Sequence, residues 1–346
     1  MPKRVDNIFY SKLKFKNMLE AYIRASDKKH YTKEVISYEM DLASNVVKVL
    51  KELYSRTYKT SEYHTFKIYE PKERIIRALP FRDRVVQQWY VEEFIKPIFI
   101  PKFISDSYAC IPERGVHQAV HKLRQYAHNM SRKNKDFYFL KCDISKFFNN
   151  IDRDILYKII KRYVKDKYFL EYTRLLICSD NELAGIPIGN YTSQYFANIY
   201  LNTLDHYVKE ELKVKYYIRY MDDFAFVLNS KEECREVLEK VTQFLSDKLK
   251  LNLNKKTNYF KGKQGINFCG YRVFATHILL KQSNKRKMYK RIKNWNKAYE
   301  NKQLDLRGTF TKLSSWEGHA KNADTFYLRK KVRKMCNWLY DEFKCY

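Results

Sequence analysis

The stretch Lys213–Ser230, KVKYYIRYMDDFAFVLNS, sets two adjacent carboxylates, Asp222 and Asp223, between two short apolar runs. The runs Tyr216–Tyr220 and Phe224–Leu228 are rich in aromatic and branched residues and predict a hairpin with the aspartates at its turn. A turn can carry charges that a strand interior would bury without partners. Two ionised carboxylates side by side repel, and a divalent cation relieves that repulsion. Hard cations such as Mg²⁺ take oxygen ligands, commonly one or two carboxylates plus substrate phosphates. Taken alone, the pattern equally describes an exposed acidic turn, because Asp is a common turn residue.

A second cluster lies upstream, in Asp136–Asp154, DFYFLKCDISKFFNNIDRD. The apolar run Phe137–Cys142 predicts a strand that delivers Asp143 at its end, and a polar break follows Phe148. A strand ending in one Asp and a hairpin tipped with two would bring three carboxylates to one point. Such a trio suits two metal ions, one activating the attacking oxygen and one the leaving oxygen of an in-line phosphoryl transfer.

With YMDD in a hairpin and DISKFF after an earlier strand, the chain resembles the palm of reverse transcriptases. Six further blocks occur in the order such enzymes use: Ile68–Gln88, Ser105–Val120, Gly185–Val208, Leu251–Thr257, Phe268–His277 and Ser314–Arg329. The resemblance covers nearly the whole chain. It implies an α+β polymerase right hand with fingers, a palm built on an antiparallel sheet, and a helical thumb. The implied layout is an N-terminal helical extension over 1–62, mainly fingers over 63–135, and mainly palm over 136–275. Fingers helices are inserted at about 153–184, and a basic helical thumb spans 276–346.

The resemblance also assigns roles. Asp143, Asp222 and Asp223 are the catalytic carboxylates and, with the backbone carbonyl of Ile144, the ligands of two Mg²⁺ ions, for which Mn²⁺ is a substitute. Phe148, five residues after Asp143, stands where the family uses an aromatic ring to exclude a ribose 2′-hydroxyl; the competing reading makes Phe148 core and Phe147 the exposed ring. Arg74 and Lys72 match basic positions that grip the incoming triphosphate, a role that charge and hydrogen-bond geometry suit. Arg77, Arg82 and Arg84 compete for it. Lys256, with Lys255 adjacent, matches a lysine near the leaving pyrophosphate. Ile188, Gly189 and Gln194 complete the expected dNTP contacts, and Tyr220, Met221, Lys285, Arg286, Lys287, Lys290 and Arg291 the expected nucleic-acid contacts. Trp316 and His319 read as packing or backbone-contact residues.

The loop Ile186–Gln194, IPIGNYTSQ, is the most discriminating segment. Most reverse transcriptases carry a pattern like QGxxxSP there. Here Ile188 replaces the Gln and Gln194 the Pro, a variant that resembles the reverse transcriptases of diversity-generating retroelements. That group, of the bacterial and phage group II intron-like lineage, copies a template RNA into cDNA with errors opposite adenine. The implied partners are template RNA, the cDNA/RNA hybrid, dNTPs and a small basic accessory protein oligomer. Loss of the amide at position 188 would remove hydrogen bonds that fix the incoming nucleotide. The alternative is a defence-associated bacterial reverse transcriptase in anti-phage immunity. A non-catalytic RNA-binding scaffold is a third reading, against which the three intact aspartates argue.

Composition agrees. Among 346 residues, 68 Lys and Arg face 39 Asp and Glu, a formal charge of +29 that suits a polyanionic partner. A Lys-, Asn- and Tyr-rich composition inherited from an AT-rich genome accounts for part of this. It does not explain the basic runs Lys281–Lys293 and Arg329–Lys334, which read as a diffuse phosphate-binding face. The seven cysteines form no CxxC pair, which speaks against a zinc ribbon. No signal peptide and no run of roughly 18 apolar residues occurs, so the expected location is cytoplasmic, without a membrane partner. Helices are expected over 8–25, 33–57, 83–97, 115–128, 153–179, 193–211 (with Ser193 as N-cap) and 231–249, and a strand pair over 65–79. After Phe274 the chain reads as mainly basic helices.

Overall fold

In the computed structural model, residues 4–69, 73–180, 182 and 184–343 are described. Lys72 lies outside them. The chain forms two compact units, each assembled from separate segments: 1–113, 143–215 and 237–256 in the first, and 114–142, 216–236 and 257–346 in the second.

The first unit is mainly helical. Helix Phe15–Ser26 buries Met18, Ala21, Tyr22 and Ala25, the i, i+3, i+4, i+7 stripe of an amphipathic helix. Helix Leu42–Tyr54 buries Val46, Val49 and Leu53 with the same logic. An antiparallel hairpin, β1 (His64–Ile68) and β2 (Arg74–Ala78), runs from His64↔Ala78 to Ile68↔Arg74 and is largely exposed. Helix Phe81–Tyr90 continues through a π-helical turn, Val91–Ile95, into an aromatic core. There Trp89 packs edge-on against Phe94, and Tyr90 stacks on Phe169 with ring centroids 5.5 Å apart. The indole N–H of Trp89 donates to the Lys12 carbonyl at 3.0 Å, as a buried indole requires. The expected helix over 153–179 is two, Arg153–Lys161 and Lys167–Ile177, because Asp166 caps the second by accepting from the Phe169 amide. Helix Tyr191–His206 is buried on most of its surface.

It also corrects an expectation. The N-cap position belongs to Asn190, and Ser193 is a buried residue inside the helix. The helix starts earlier because its first amide, Tyr191 N–H, finds an acceptor in the side chain of Gln87 at 2.9 Å.

The second unit holds a four-stranded sheet of order β4–β5–β3–β6, with β3 Tyr138–Asp143, β4 Tyr217–Tyr220, β5 Asp223–Leu228 and β6 Asn258–Lys261. Helix Val116–Ser131 packs on β4 and β5. The sheet is followed by three short antiparallel strands, β7 (Ile266–Phe268), β8 (Tyr271–Val273) and β9 (Ile278–Leu280). β9 is a correction: the chain adds a strand after Phe274 before turning helical. Its cause is the alternation of Ile278, Leu279 and Leu280, buried, exposed and buried. The helices that follow close around Met288, Ile292, Trp295, Leu313, Val332 and Leu339. Among the described residues, no helix is long and apolar enough to cross a membrane.

Two of these helices are tied by Arg333, which donates through Nε and Nη2 to the two carboxylate oxygens of Glu317, each at 2.7 Å. Arg333 holds the Glu317 carboxyl below its ordinary range, against the opposing effect of burial. A depressed folded-state pKa contributes stability above the unfolded value that is lost as pH falls through the folded one. Glu317→Gln is therefore expected to lower stability at neutral pH by about 1–3 kcal/mol. Its gap to wild type should close below a pH of about 4. Urea unfolding monitored at several pH values checks this.

Candidate active site

Within the first unit, main-chain hydrogen bonds assemble four of the expected site segments. Ser145 N–H donates to the Asn252 carbonyl at 2.9 Å, and Asn254 N–H to the Asp143 carbonyl at 2.7 Å. Ile144 thus pairs with Leu253 as the residue whose own N–H and C=O point to the opposite edge. The segment carrying Lys255 and Lys256, both exposed, is held beside Asp143 in this way. Lys146 then takes a positive φ of 43°, and the short helix Phe147–Asn150 begins. Phe147 is buried and Phe148 only half-buried, so of the two rings it is Phe148 that faces outward.

The 185–191 loop is fastened to two different elements. Ile186 N–H donates to the Phe148 carbonyl at 2.8 Å, and Gly185 N–H to that of Ile151 at 3.1 Å. At the other end Arg77 N–H donates to the Ile188 carbonyl at 2.9 Å. Two glycines make these approaches possible. A Cβ on Gly185 (φ 78°) would sit 2.7 Å from the backbone of Phe148 and Asn149. One on Gly189 (φ 130°) would sit 2.5 Å from the Arg77 carbonyl oxygen. The loop thus runs from Phe148 at one end to β2 at the other, with Ile188 half-buried and Gly189 exposed. Gln194 is exposed one turn into the helix, where its carbonyl accepts from the Cys110 thiol at 3.2 Å.

The competing arginines separate by their partners. Arg77 pairs with Asp180 at 2.6 Å and with Glu182, and Asp180 is shared with Arg153. Arg82 pairs with Glu52 and Asp83, and Arg84 with Glu34. Arg74 is exposed on β2, and among the described residues no ion pair engages it.

In the second unit, Tyr220 pairs with Asp223 across the β4–β5 hairpin, leaving Met221 and Asp222 as the two-residue loop. Asp223 is thus the first residue of β5 and not a turn residue, contrary to expectation. The reason is the tightness of the loop, in which Met221 takes a positive φ of 57°. A positive φ at the first loop residue alone is the type II′ pattern, whose twist matches the flanking strands. Arg219, fully buried, donates to the Met221 carbonyl at 3.0 Å and so supports this turn from below. Tyr220, Met221, Asp222 and Asp223 are all half-exposed.

Sequence reasoning missed Lys141. Its ammonium lies 3.1 Å from Asp223 Oδ2 and donates to the Asn267 carbonyl at 2.5 Å. The signal was present: Lys141 stands two residues before Asp143, on the same face of β3 by strand alternation. Burial pushes the Cys269 thiol up, and the Asp223 carboxylate beside it adds to the effect. His319 also does more than pack. Tyr271 donates its hydroxyl to the His319 carbonyl at 2.7 Å and lies 3.0 and 2.9 Å from Nδ1 of His117 and His319.

Lys285, Arg286, Lys287, Lys290 and Arg291 share the helix Gln282–Glu300, which buries Met288, Ile292 and Trp295. All but the half-buried Lys285 are exposed.

The donors at the strand ends are carboxylate oxygens, the chemistry hard divalent cations take. Asp143 closes β3 and Asp223 opens β5, the strand next to it in the sheet. Among the described residues, no group of three or more His, Cys, Asp or Glu side chains is gathered as a metal site.

Comparison with known proteins places these observations. Residues 65–273 match the family described as reverse transcriptase (RNA-dependent DNA polymerase). The group II intron-encoded protein LtrA of Lactococcus lactis subsp. cremoris is 22% identical over 303 residues, covering 66% of this chain and 49% of LtrA. Protein YkfC of Escherichia coli is 25% identical over 258 residues, covering 60% of this chain and 66% of YkfC. The chain thus spans about half to two thirds of the length of these relatives. Among solved structures, apo telomerase from Candida tropicalis truncated from its C-terminal domain aligns with a TM-score of 0.51 at 14% identity, over 64% of this chain and 55% of that one. That likeness shows the fold: α+β, of the polymerase right-hand class.

The close approach at Gly189 yields a test. Gly189→Ala forces a Cβ into the Arg77 carbonyl at an unfavourable φ and is expected to cost about 1–3 kcal/mol. Gly318→Ala, inside helix Leu306–Ala320 with open space around it, should instead stabilise by roughly 0.5–1 kcal/mol. Denaturant midpoints of the two variants check both signs.

Proposed function

The chain belongs to the reverse transcriptase (RNA-dependent DNA polymerase) family, and from that premise we propose that it synthesises cDNA on an RNA template by adding deoxynucleotides to a primer 3′-hydroxyl. The observation that carries this reading is the pair of neighbouring strands β3 and β5, one ending in Asp143 and the other opening on Asp223 behind Asp222. In the reaction the primer 3′-oxygen attacks the α-phosphorus of a dNTP and pyrophosphate departs. Asp143, Asp222, Asp223 and the Ile144 carbonyl would hold two Mg²⁺ ions. When bound, such ions supply Lewis-acid stabilisation of the charge on the transferring phosphoryl group.

The other residues bind and select. Arg74, exposed on the β1–β2 hairpin, grips the triphosphate by charge-assisted hydrogen bonds, a role the paired Arg77, Arg82 and Arg84 are less placed to serve. Phe148 presents its half-exposed ring to the sugar C2′, leaving no room for a hydroxyl. Lys256 lies on the pyrophosphate side. The exposed face of helix Gln282–Glu300 holds the phosphates of template and product without reading their sequence. In this reading the β1–β2 hairpin belongs to the fingers, the four-stranded sheet to the palm, and the helices after β9 to the thumb.

The finer reading is an error-prone enzyme of a diversity-generating retroelement, served by a structured template RNA and a small basic accessory protein oligomer. Its support is the half-buried Ile188, an apolar residue whose main-chain carbonyl is fastened to β2, at a position where most reverse transcriptases carry an amide.

The experiment is sequencing of cDNA made by the purified protein on a primed RNA of mixed sequence, with Mg²⁺ and all four dNTPs. Asp222→Ala/Asp223→Ala should abolish product, and errors should concentrate opposite template adenine. Ile188→Gln should lower those errors several-fold. Accurate product from wild type would favour a defence enzyme, and product from the double alanine variant would overturn the assignment of the carboxylates.

A further inference from the structure

The helix Tyr191–His206 has no cap from its own sequence. Asn190 occupies the N-cap position with extended backbone, but its side chain makes no capping bond. Its amide instead donates to the Tyr63 hydroxyl at 2.7 Å, which lies 2.7 Å from Ser179 Oγ. The first helical amide, on Tyr191, is satisfied from outside the helix by the Gln87 carbonyl oxygen at 2.9 Å.

Gln87 is an unexpected residue for its place. It is 1% exposed on a helix whose neighbouring positions Val85, Val86, Trp89 and Tyr90 are wholly buried. Its Nε2 is buried and, among the described residues, has no hydrogen-bond partner. A half-satisfied amide in a core costs free energy that an apolar side chain of equal size would not. The position is therefore explained by what its oxygen does, since nothing is gained by burying its nitrogen.

The bond sits at one end of the loop that the reading above places against the incoming nucleotide. At the other end, three residues earlier, the Ile188 carbonyl accepts from Arg77 N–H at 2.9 Å. Gly189 lies flat on the Arg77 carbonyl, where even a Cβ would not fit. Ile188 and Gly189 are thus strung between two fixed points, a strand edge and a buried carboxamide.

We propose that Gln87 is a positioning residue for nucleotide selection, holding the start of helix Tyr191–His206 so that Ile188 and Gly189 keep a fixed height over the nascent base pair. The inference rests on the polymerase reading and on the assignment of this loop to the nucleotide. Gln87 touches no substrate and acts through the loop. Its effect falls on how well right and wrong pairs are told apart, and less on the rate with the right one.

The test compares wild type, Gln87→Met and Val85→Ala. Methionine keeps the length of the side chain and removes the acceptor. Val85→Ala removes packing from the same helix without touching the bond, and so reports what mere destabilisation does. Amide hydrogen exchange of peptides covering 188–195 is measured without substrates, and misincorporation per template base is measured by sequencing cDNA. In Gln87→Met, exchange at the Tyr191 amide should rise roughly three- to tenfold, the loss of one buried hydrogen bond. The ratio of wrong to right incorporation should shift at least about threefold, while the maximal rate with the correct dNTP stays within about threefold. Val85→Ala should lower the melting temperature and leave the ratio unchanged.

Unchanged exchange in Gln87→Met overturns the proposed anchor. Raised exchange with an unchanged ratio reduces Gln87 to a structural residue and also overturns it, as does an equal shift in Val85→Ala. No templated product from wild type on any primed RNA sinks the polymerase reading and selection with it. Product from wild type without a shift in Gln87→Met sinks this inference alone.

Discussion

Buried main-chain groups must be paired, and here that requirement falls on segments that leave regular structure. Asp143–Ser145 meets Asn252–Asn254, Phe148 meets Ile186, and Ile188 meets Arg77, each through backbone N–H and C=O. These bonds place the side chains at 143, 148, 188 and 256 without using the side chains themselves. The scaffold is thereby insulated from changes in the groups it presents. The exceptions are glycines: at 185 and 189 two main chains run closer than any Cβ allows, so these positions are fixed by geometry.

That division explains what could be read from the sequence. Asp143, Asp222 and Asp223 stand in short runs whose apolar flanks announce strand ends. The apolar spacing from Leu42 onward was equally legible, although the single helix expected over 33–57 is two, Lys33–Glu39 and Leu42–Tyr54, with a break at Met40 and Asp41. What escaped depends on partners far along the chain. The helix at Tyr191 begins before Ser193 because its cap comes from a residue 104 positions earlier. Asp223 joins β5 because Met221, a residue that turn preferences would not choose, accepts a left-handed conformation above the buried Arg219. The competition among Arg77, Arg82 and Arg84 stayed open because their carboxylates, Asp180, Glu182, Glu52 and Glu34, lie 30 to 105 residues away.

Charge is managed by the same long-range means in the second unit. Asp223 is not left to face its neighbour Asp222 unaided, since Lys141 from β3 stands beside it. The same ammonium reaches the Asn267 carbonyl and so ties the carboxylate to β7. A single side chain thereby links one of the acidic residues to a strand that carries none of them. The buried Arg219 directs Nη1 at the Met221 carbonyl, so a guanidinium held out of water is put to use in fixing the turn.

The threading of the chain has a consequence for how the protein is made. Each unit draws on three segments, and the segments alternate along the sequence. Residues 114–142 emerge from the ribosome long before their partners at 216–236 and 257–346, and the first unit lacks its last segment until Lys256 has been synthesised. Neither unit can close as the chain emerges, domain after domain, in the usual N-to-C order. Native contacts of high sequence separation form late, and loop closure must precede the contacts that reward it. Nascent chains therefore carry unpaired strands such as β3 for several seconds at ordinary elongation rates of roughly 5–20 residues per second, an interval in which an open strand edge is exposed to mispairing.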